Sequence, residues 1–289
     1  MPDTQNAVYF YTTKNEEKTG LMTIVREHKG QGMKILRLAV GNLQKTYKGA
    51  LLGPMWAVIK PSFTLFILWF AFAVGLRGSG EVNGFPRFFF MLTGYVPWFY
   101  INEAILQGAR SIRNNKQYVT KLSFPMSNIM TFTNLSSLVV HVGLTLIMYV
   151  ILLAAGYCPS LYNLQFFYYC PMMFLFFWIL TWTTAPMAAF SKDFENLIGS
   201  VMTGMFWLSG IVWDTATVKN DIIRKSLYFN PINYFINGYR RAFLYNEPAI
   251  TFSRENLLET GIMFGEMIFL ILLGSYYYKK LRKLIPDVL

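Results

Sequence analysis

The stretch Lys34-Ile35-Leu36-Arg37-Leu38-Ala39-Val40-Gly41-Asn42-Leu43-Gln44-Lys45-Thr46-Tyr47-Lys48 runs through Leu52-Gly53-Pro54-Met55-Trp56 into an apolar segment, and its reading decides the fold. Leu36, Ala39, Val40, Leu43 and Tyr47 fall at i, i+3, i+4, i+7 and i+11, one face of a helix. Lys34, Arg37, Gly41, Lys45 and Lys48 fall on the other. An apolar stripe backed by lysines and arginines predicts a helix lying in the membrane interface over residues 32–50. Residues 58–76 follow as a largely apolar run whose only charge is Lys60 at its base. A helix on the membrane that turns into a helix through it points to a permease and away from a soluble enzyme.

The composition agrees. Hydrophobic residues make up 54% of the 289 residues and charged residues 14%, against about 25% charged in soluble domains. Apolar runs of ~20 residues match a bilayer core, and six are predicted to span it: about 58–76, 88–108, 130–155, 166–190, 197–213 and 257–277. Gly204 and Gly210 interrupt the fifth. With a cytoplasmic N-terminus the inner segments would hold 17 of the 26 Lys and Arg and the outer ones 8. Most of the outer share falls in one long loop, where the positive-inside rule is weakest, so both termini are expected inside.

Residues 1–31 are polar and have no apolar core, so they read as a cytoplasmic tail and not as a signal peptide. The net charge of +11 clusters beside the spans, which favours anionic lipid headgroups over nucleic acid as its partner. Cys158 and Cys170 form no disulfide framework. The chain lacks a GxxxxGK[ST] phosphate loop, so no ATP site of its own is expected. His28 and His141 stand apart, which argues against a histidine metal site, and neither a Ser/His/Asp set nor an internal repeat is present. No catalytic residue, metal or bound cofactor is therefore expected in this chain.

Three regions are candidates for mechanism. Residues 115–125 between the second and third spans are short, basic and cytoplasmic, with Tyr118, Val119 and Leu122 at helical spacing, Lys121 between them, and Phe124-Pro125 at the end. They read either as a loop on lipid headgroups or as a short helix whose apolar anchors fill a partner's groove. Residues 228–244 are too apolar for a solvated loop and too charged to span. They read either as an aromatic belt or as re-entrant helices at an outer mouth, with Asn230, Pro231, Tyr234, Phe235, Arg240 and Arg241 facing a passing polymer. Lys60, Glu103 and Glu266 are ionisable groups in or beside spans, suited to helix–helix pairing or to substrate contact.

Tyr47-Lys48-Gly49-Ala50-Leu51-Leu52-Gly53-Pro54-Met55-Trp56, followed by Pro61, resembles the Y-x-x-S-x-L-G-x-x-W…P motif of polysaccharide-exporting ABC permeases, with Ala50 in place of the usual Ser. Gly94-Tyr95-Val96-Pro97-Trp98, residues 115–125, Lys192-Asp193 and Asn230-Pro231 with Arg240 or Arg241 resemble further family landmarks in the same order, over about residues 33–285. The teichoic-acid branch looks nearest, through residues 66–77 and Pro97-Trp98-Phe99, and the O-antigen and capsule branch stays open.

The resemblance implies an all-α type-2 ABC exporter permease fold: six transmembrane helices, the in-plane helix and short outer gate helices, in a transmembrane domain over 32–285. It implies a bacterial cytoplasmic-membrane protein that pairs with a second copy of itself and with two cytoplasmic ATP-binding subunits, where ATP and Mg reside. The substrate would be a lipid-linked glycan. Residues 115–125 would then couple to the ATPase and 228–244 would gate the outer mouth. The alternatives are a drug- or lipid-exporting permease of the same superfamily, a secondary transporter, which would want paired intramembrane carboxylates or a repeat, and a membrane-bound transferase, which would want a catalytic cluster.

Overall fold

The structure, a computed structural model, describes residues 19–75, 80–122, 124–249 and 253–289. Their helices are α1 (Gly20–His28), α2 (Gly32–Thr46), α3 (Trp56–Trp69), α4 (Arg87–Asn114), α5 (Lys116–Thr120), α6 (Met126–Ala154), α7 (Phe166–Phe190), α8 (Lys192–Leu208), α9 (Asp221–Ser226), α10 (Pro231–Arg240), α11 (Arg254–Leu281) and α12 (Ile285–Val288). Wider π turns extend α3 over Phe70–Gly75 and α10 over Arg241–Tyr245. A hairpin of β1 (Glu81–Val82) and β2 (Phe85–Pro86) leads into α4. It turns on Asn83 and Gly84, both at positive φ (53° and 77°), the conformation a two-residue hairpin loop demands.

Among the described residues, four stretches are long and apolar enough to cross a membrane: Gly53–Phe72, Met126–Ala154, Leu161–Phe190 and Arg254–Leu281. They coincide with the first, third, fourth and sixth expected spans. The second coincides with α4, whose 28 residues are long enough but carry Arg87, Glu103, Arg110 and Arg113. The fifth coincides with α8, 17 residues starting five earlier than expected and ending at Leu208. Ser191 caps its N-terminus by accepting from the Phe194 N–H, and the Asp193 and Glu195 carboxylates suit the positive end of its dipole.

The α4 helix is the axis, buried along most of its length against α6, α7 and α10. Small residues allow the close approach: a Cβ on Gly108 would meet Thr181 Cγ2 at 2.3 Å. The α11 helix lies on α7, while α3 and α8 are peripheral and keep much of their apolar surface outward.

The α1 helix corrects the reading of residues 1–31 as a tail. Residues 1–18 lie outside the described residues, but α1 is packed on α6 and α11 with Ile24 buried. Its Glu27 accepts from Tyr278 Oη at 2.6 Å and from Ser127 Oγ, and pairs with Arg282 at 3.2 Å. A polar composition hid this because the helix buries one apolar side chain and satisfies a carboxylate instead. Cys158 and Cys170 are both free thiols.

Candidate functional site

The segment expected to lie in the membrane plane is helical as α2, four residues shorter than expected. It ends at Thr46, and Gly49 and Gly53 (φ 84° and 49°) turn the chain into α3. Ile35 and Ala39 are its buried residues, against α6, where Ser136 Oγ donates to the Ala39 carbonyl at 2.8 Å and accepts from Asn42 Nδ2 at 3.2 Å. Leu36 and Val40 face outward, and Leu43 and Tyr47 are half-buried; Arg37 is exposed. The apolar arc is thus wider than the predicted stripe, with one edge on protein and the other exposed.

In the segment after α4, helix α5 covers only Lys116–Thr120. Val119 is 0% and Phe124 7% exposed, both in the chain's own core, and the Tyr118 ring packs, tilted, against those of Phe124 and Phe132 at centroid distances of 5.8 and 5.7 Å. Pro125 starts α6. The expectation that Tyr118, Leu122 and Phe124 all reach into a partner is corrected here. A short helix on a bundle end buries whichever face meets the core, and that leaves Lys116, Gln117, Lys121 and Leu122 outward.

Residues 231–240 form one short helix, α10. Asn230 caps it, accepting from the Ile232 N–H at 3.1 Å and donating to Ser209 Oγ at 2.9 Å, and Pro231 occupies its first turn. Ten residues reach only about 15 Å, too short to span, and such backbone is tolerated only under protein cover. The cover is α4 and α7: Tyr234, Phe235 and Tyr239 are buried, and Tyr234 Oη meets Tyr168 Oη at 2.9 Å.

Arg240 is 1% exposed, its guanidinium 3.5 Å from the Phe90 ring centroid. Its Nη2 donates to the Ile211 carbonyl at 2.8 Å and to the Phe90 carbonyl at 3.4 Å. Arg241 pairs with Glu259 at 3.7 Å. Both arginines therefore work inside the chain, and the expectation that they face a passing polymer is corrected. Tyr228 and Phe229, which precede the helix, are half-buried and exposed.

Lys60 and Glu103 meet in a cavity of about 420 Å³ between α2, α3, α4 and α6. Around them stand Lys45, Gln107, Ser111, Asn115 and Ser137. Tyr47 also lines it, and burial, with the Glu103 carboxylate adding, raises its phenol above the ordinary value, so it remains a donor. Sequence reasoning singled out Lys60 and Glu103 separately but not their shared cavity, which exists only because α2 docks on α6.

A sequence profile of the ABC-2 type transporter family matches residues 33–244, most of the described core. This chain belongs to that family. It is similar to the O-antigen export system permease protein RfbA of Myxococcus xanthus, 25% identical over 228 residues, or 77% of this chain and 85% of that protein. It is also similar to the protein of the same name from Klebsiella pneumoniae, 23% identical over 257 residues, 86% and 92% of the two chains. The ABC-2 permease is thus a multi-pass membrane subunit of a transporter, is not itself the catalyst, and associates with an ABC ATP-binding subunit.

Two further features of the permease were not legible beforehand. Glu195 at the start of α8 pairs with Arg110 at 2.7 Å and Arg113 at 3.8 Å, while Arg113 donates to the Ala188 and Ala189 carbonyls that end α7. This locks the corner of α4, α7 and α8 by capping carbonyls a helix end leaves open. An apolar groove of about 430 Å³ lies between α4, α7, α8 and α11, with Glu266 on its wall. Glu266 Oε2 is buried without a hydrogen-bond partner, so the helix–helix pairing expected of it is not found among the described residues.

Proposed function

We propose that this permease is the membrane subunit of an exporter that carries a lipid-linked cell-surface polysaccharide across the bacterial cytoplasmic membrane. ATP, with Mg, is hydrolysed in the partner subunit. The similarity over most of the chain to two permeases named for O-antigen export carries this reading. It favours an O-antigen type of polymer over the teichoic-acid branch that the sequence motifs put nearer.

In this reading α3, α4, α6, α7, α8 and α11 are the six spans and both termini are cytoplasmic, with α5 on the side of the ATP-binding subunits. The permease works as two copies with two such subunits. The outward apolar side chains Phe63, Phe66 and Phe70 of α3 and Leu197, Val201 and Leu208 of α8 are covered by lipid or by the second copy. The α8 helix also turns Asn196, Ser200 and Thr203 outward at i, i+4 and i+7. The Ser200 and Thr203 hydroxyls donate to the Asn196 and Gly199 carbonyls of their own helix, so it is the Asn196 amide that makes a hydrated conduit a better neighbour than bare hydrocarbon.

Deleting the gene for this chain in its host tests the reading. The surface polysaccharide is expected to disappear while its lipid-linked form accumulates inside, and the wild-type chain is expected to restore it. Unchanged surface polysaccharide, with no internal accumulation, would contradict the proposal.

A further inference from the structure

The cavity between α2, α3, α4 and α6 has unmet chemistry. Among the described residues, neither Lys45 nor Lys60 has a carboxylate within ion-pair contact, and Glu103 has no cation within it, Lys60 and Arg110 acting on it from beyond contact distance. Ser111 is 1% exposed, and its Oγ has no hydrogen-bond partner. Buried hydroxyls without partners are uncommon in folded chains, and this one lies on the wall of a cavity large enough to hold a ligand. The cavity brings two ammonium groups, on α2 and α3, together with a carboxylate on α4 and with amides and hydroxyls. A ligand that satisfies both kinds of group is anionic and carries hydrogen-bond donors beside its charge.

The surroundings say how that ligand arrives. The connector from α2 to α3, the two helices that hold the lysines, exposes Leu51, Leu52 and Met55, with Leu51 fully so. An apolar connector beside a basic interfacial helix is a surface for acyl or isoprenoid chains. Lysines held near the interface are natural partners for phosphate groups.

We infer that this cavity binds the phosphorylated headgroup of a membrane lipid, with Lys45 and Lys60 holding the phosphate and Glu103 and Ser111 taking the hydroxyl or ammonium groups next to it. Two lipids share this chemistry: a bulk glycerophospholipid and the isoprenoid phosphate carrier of the polysaccharide. Only the second rests on the proposed function.

Native mass spectrometry of the purified complex of the permease and its ATP-binding subunit tests the inference. The probes are dioctanoyl phosphatidylglycerol, dioctanoyl phosphatidylethanolamine, farnesyl diphosphate, dioctanoylglycerol and inorganic phosphate. At least one of the phosphate-bearing lipids is expected to bind on the order of tenfold more tightly than dioctanoylglycerol and inorganic phosphate.

Preference for the glycerophospholipids names bulk lipid as the occupant, and preference for farnesyl diphosphate names the carrier. Lys45→Gln with Lys60→Gln is expected to abolish the preference for phosphate. Both lysines are exposed, so this variant is expected to melt like the parent. Glu103→Gln is expected to weaken phosphatidylethanolamine more than phosphatidylglycerol. Ser137→Phe, which fills the cavity from α6 without touching a charge, is expected to expel the same lipids. Dioctanoylglycerol or inorganic phosphate binding as tightly as every phosphate-bearing lipid would overturn the inference. So would a lysine double variant that keeps the parent's preference.

Discussion

Arg240→Ala is expected to cost this permease the seating of α10. The guanidinium is buried, stacked on Phe90, and bonded to the carbonyls of Ile211 and Phe90. It has no carboxylate in ion-pair contact among the described residues, so carbonyl dipoles and a ring face hold the charge. Truncation leaves those carbonyls unpaired and a void beneath the ring, together about 3–5 kcal/mol. Total stabilities run to only about 5–15 kcal/mol.

Thermal unfolding of the purified protein is expected to shift down by on the order of 10 °C. Arg240→Lys recovers only part of this, since an ammonium cannot bond two carbonyls in a plane while stacking. Gly94→Ala is expected to act on the same pin, because its Cβ would lie 2.5 Å from Arg240 Nη2 and 3.0 Å from the Ile211 carbonyl oxygen. An unchanged melting temperature for Arg240→Ala would show that the arginine is not structural.

The second large effect is expected at α5 and the turn that follows it, where two nearby apolar residues should behave in opposite ways. Leu122 is 65% exposed and Val119 0%. In the proposed assembly Leu122 is the apolar anchor left for the ATP-binding subunit, with Lys121 beside it. Leu122→Asp is expected to weaken retention of that subunit on a pull-down on the order of tenfold or more, with melting of the permease unchanged. Val119→Asp is expected to lower the melting temperature itself, because a carboxylate without a partner would enter the core formed with Ile112, Met126 and Phe132. Full retention and full coupled ATP hydrolysis in Leu122→Asp would remove the turn after α5 from the interface.

The four long apolar helices were legible because runs of apolar residues need no long-range information. The α2 helix was legible because its charges and apolar residues alternate at helical period. Its partner was not: Ile35 and Ala39 meet Ser136 and its neighbours only once α6 is folded. The same limit explains α1, whose Glu27 is satisfied by Tyr278, 251 residues away. In α5 the spacing of Tyr118, Val119 and Leu122 announced a helix but not which side of it meets the core.

Arg240 was misread for a related reason. A guanidinium among aromatics looks the same in sequence whether it faces a conduit or Phe90, 150 residues earlier. Lys60, Glu103 and Glu266 were visible as charges out of place. Their environments, a shared polar cavity and an apolar groove, come from the packing of helices distant in sequence.

Transport itself is the most direct test of the central claim. The permease and its ATP-binding subunit are reconstituted in vesicles with the ATP-binding subunit outward, and lipid-linked O-antigen polysaccharide is supplied on that outer face. On adding ATP and Mg, the polysaccharide is expected to become protected inside the vesicles from an added glycan-degrading enzyme, and ATP hydrolysis is expected to rise with it. Protection that is the same without ATP, or hydrolysis indifferent to the lipid-linked polymer while an unrelated lipid or drug is moved, would contradict the account.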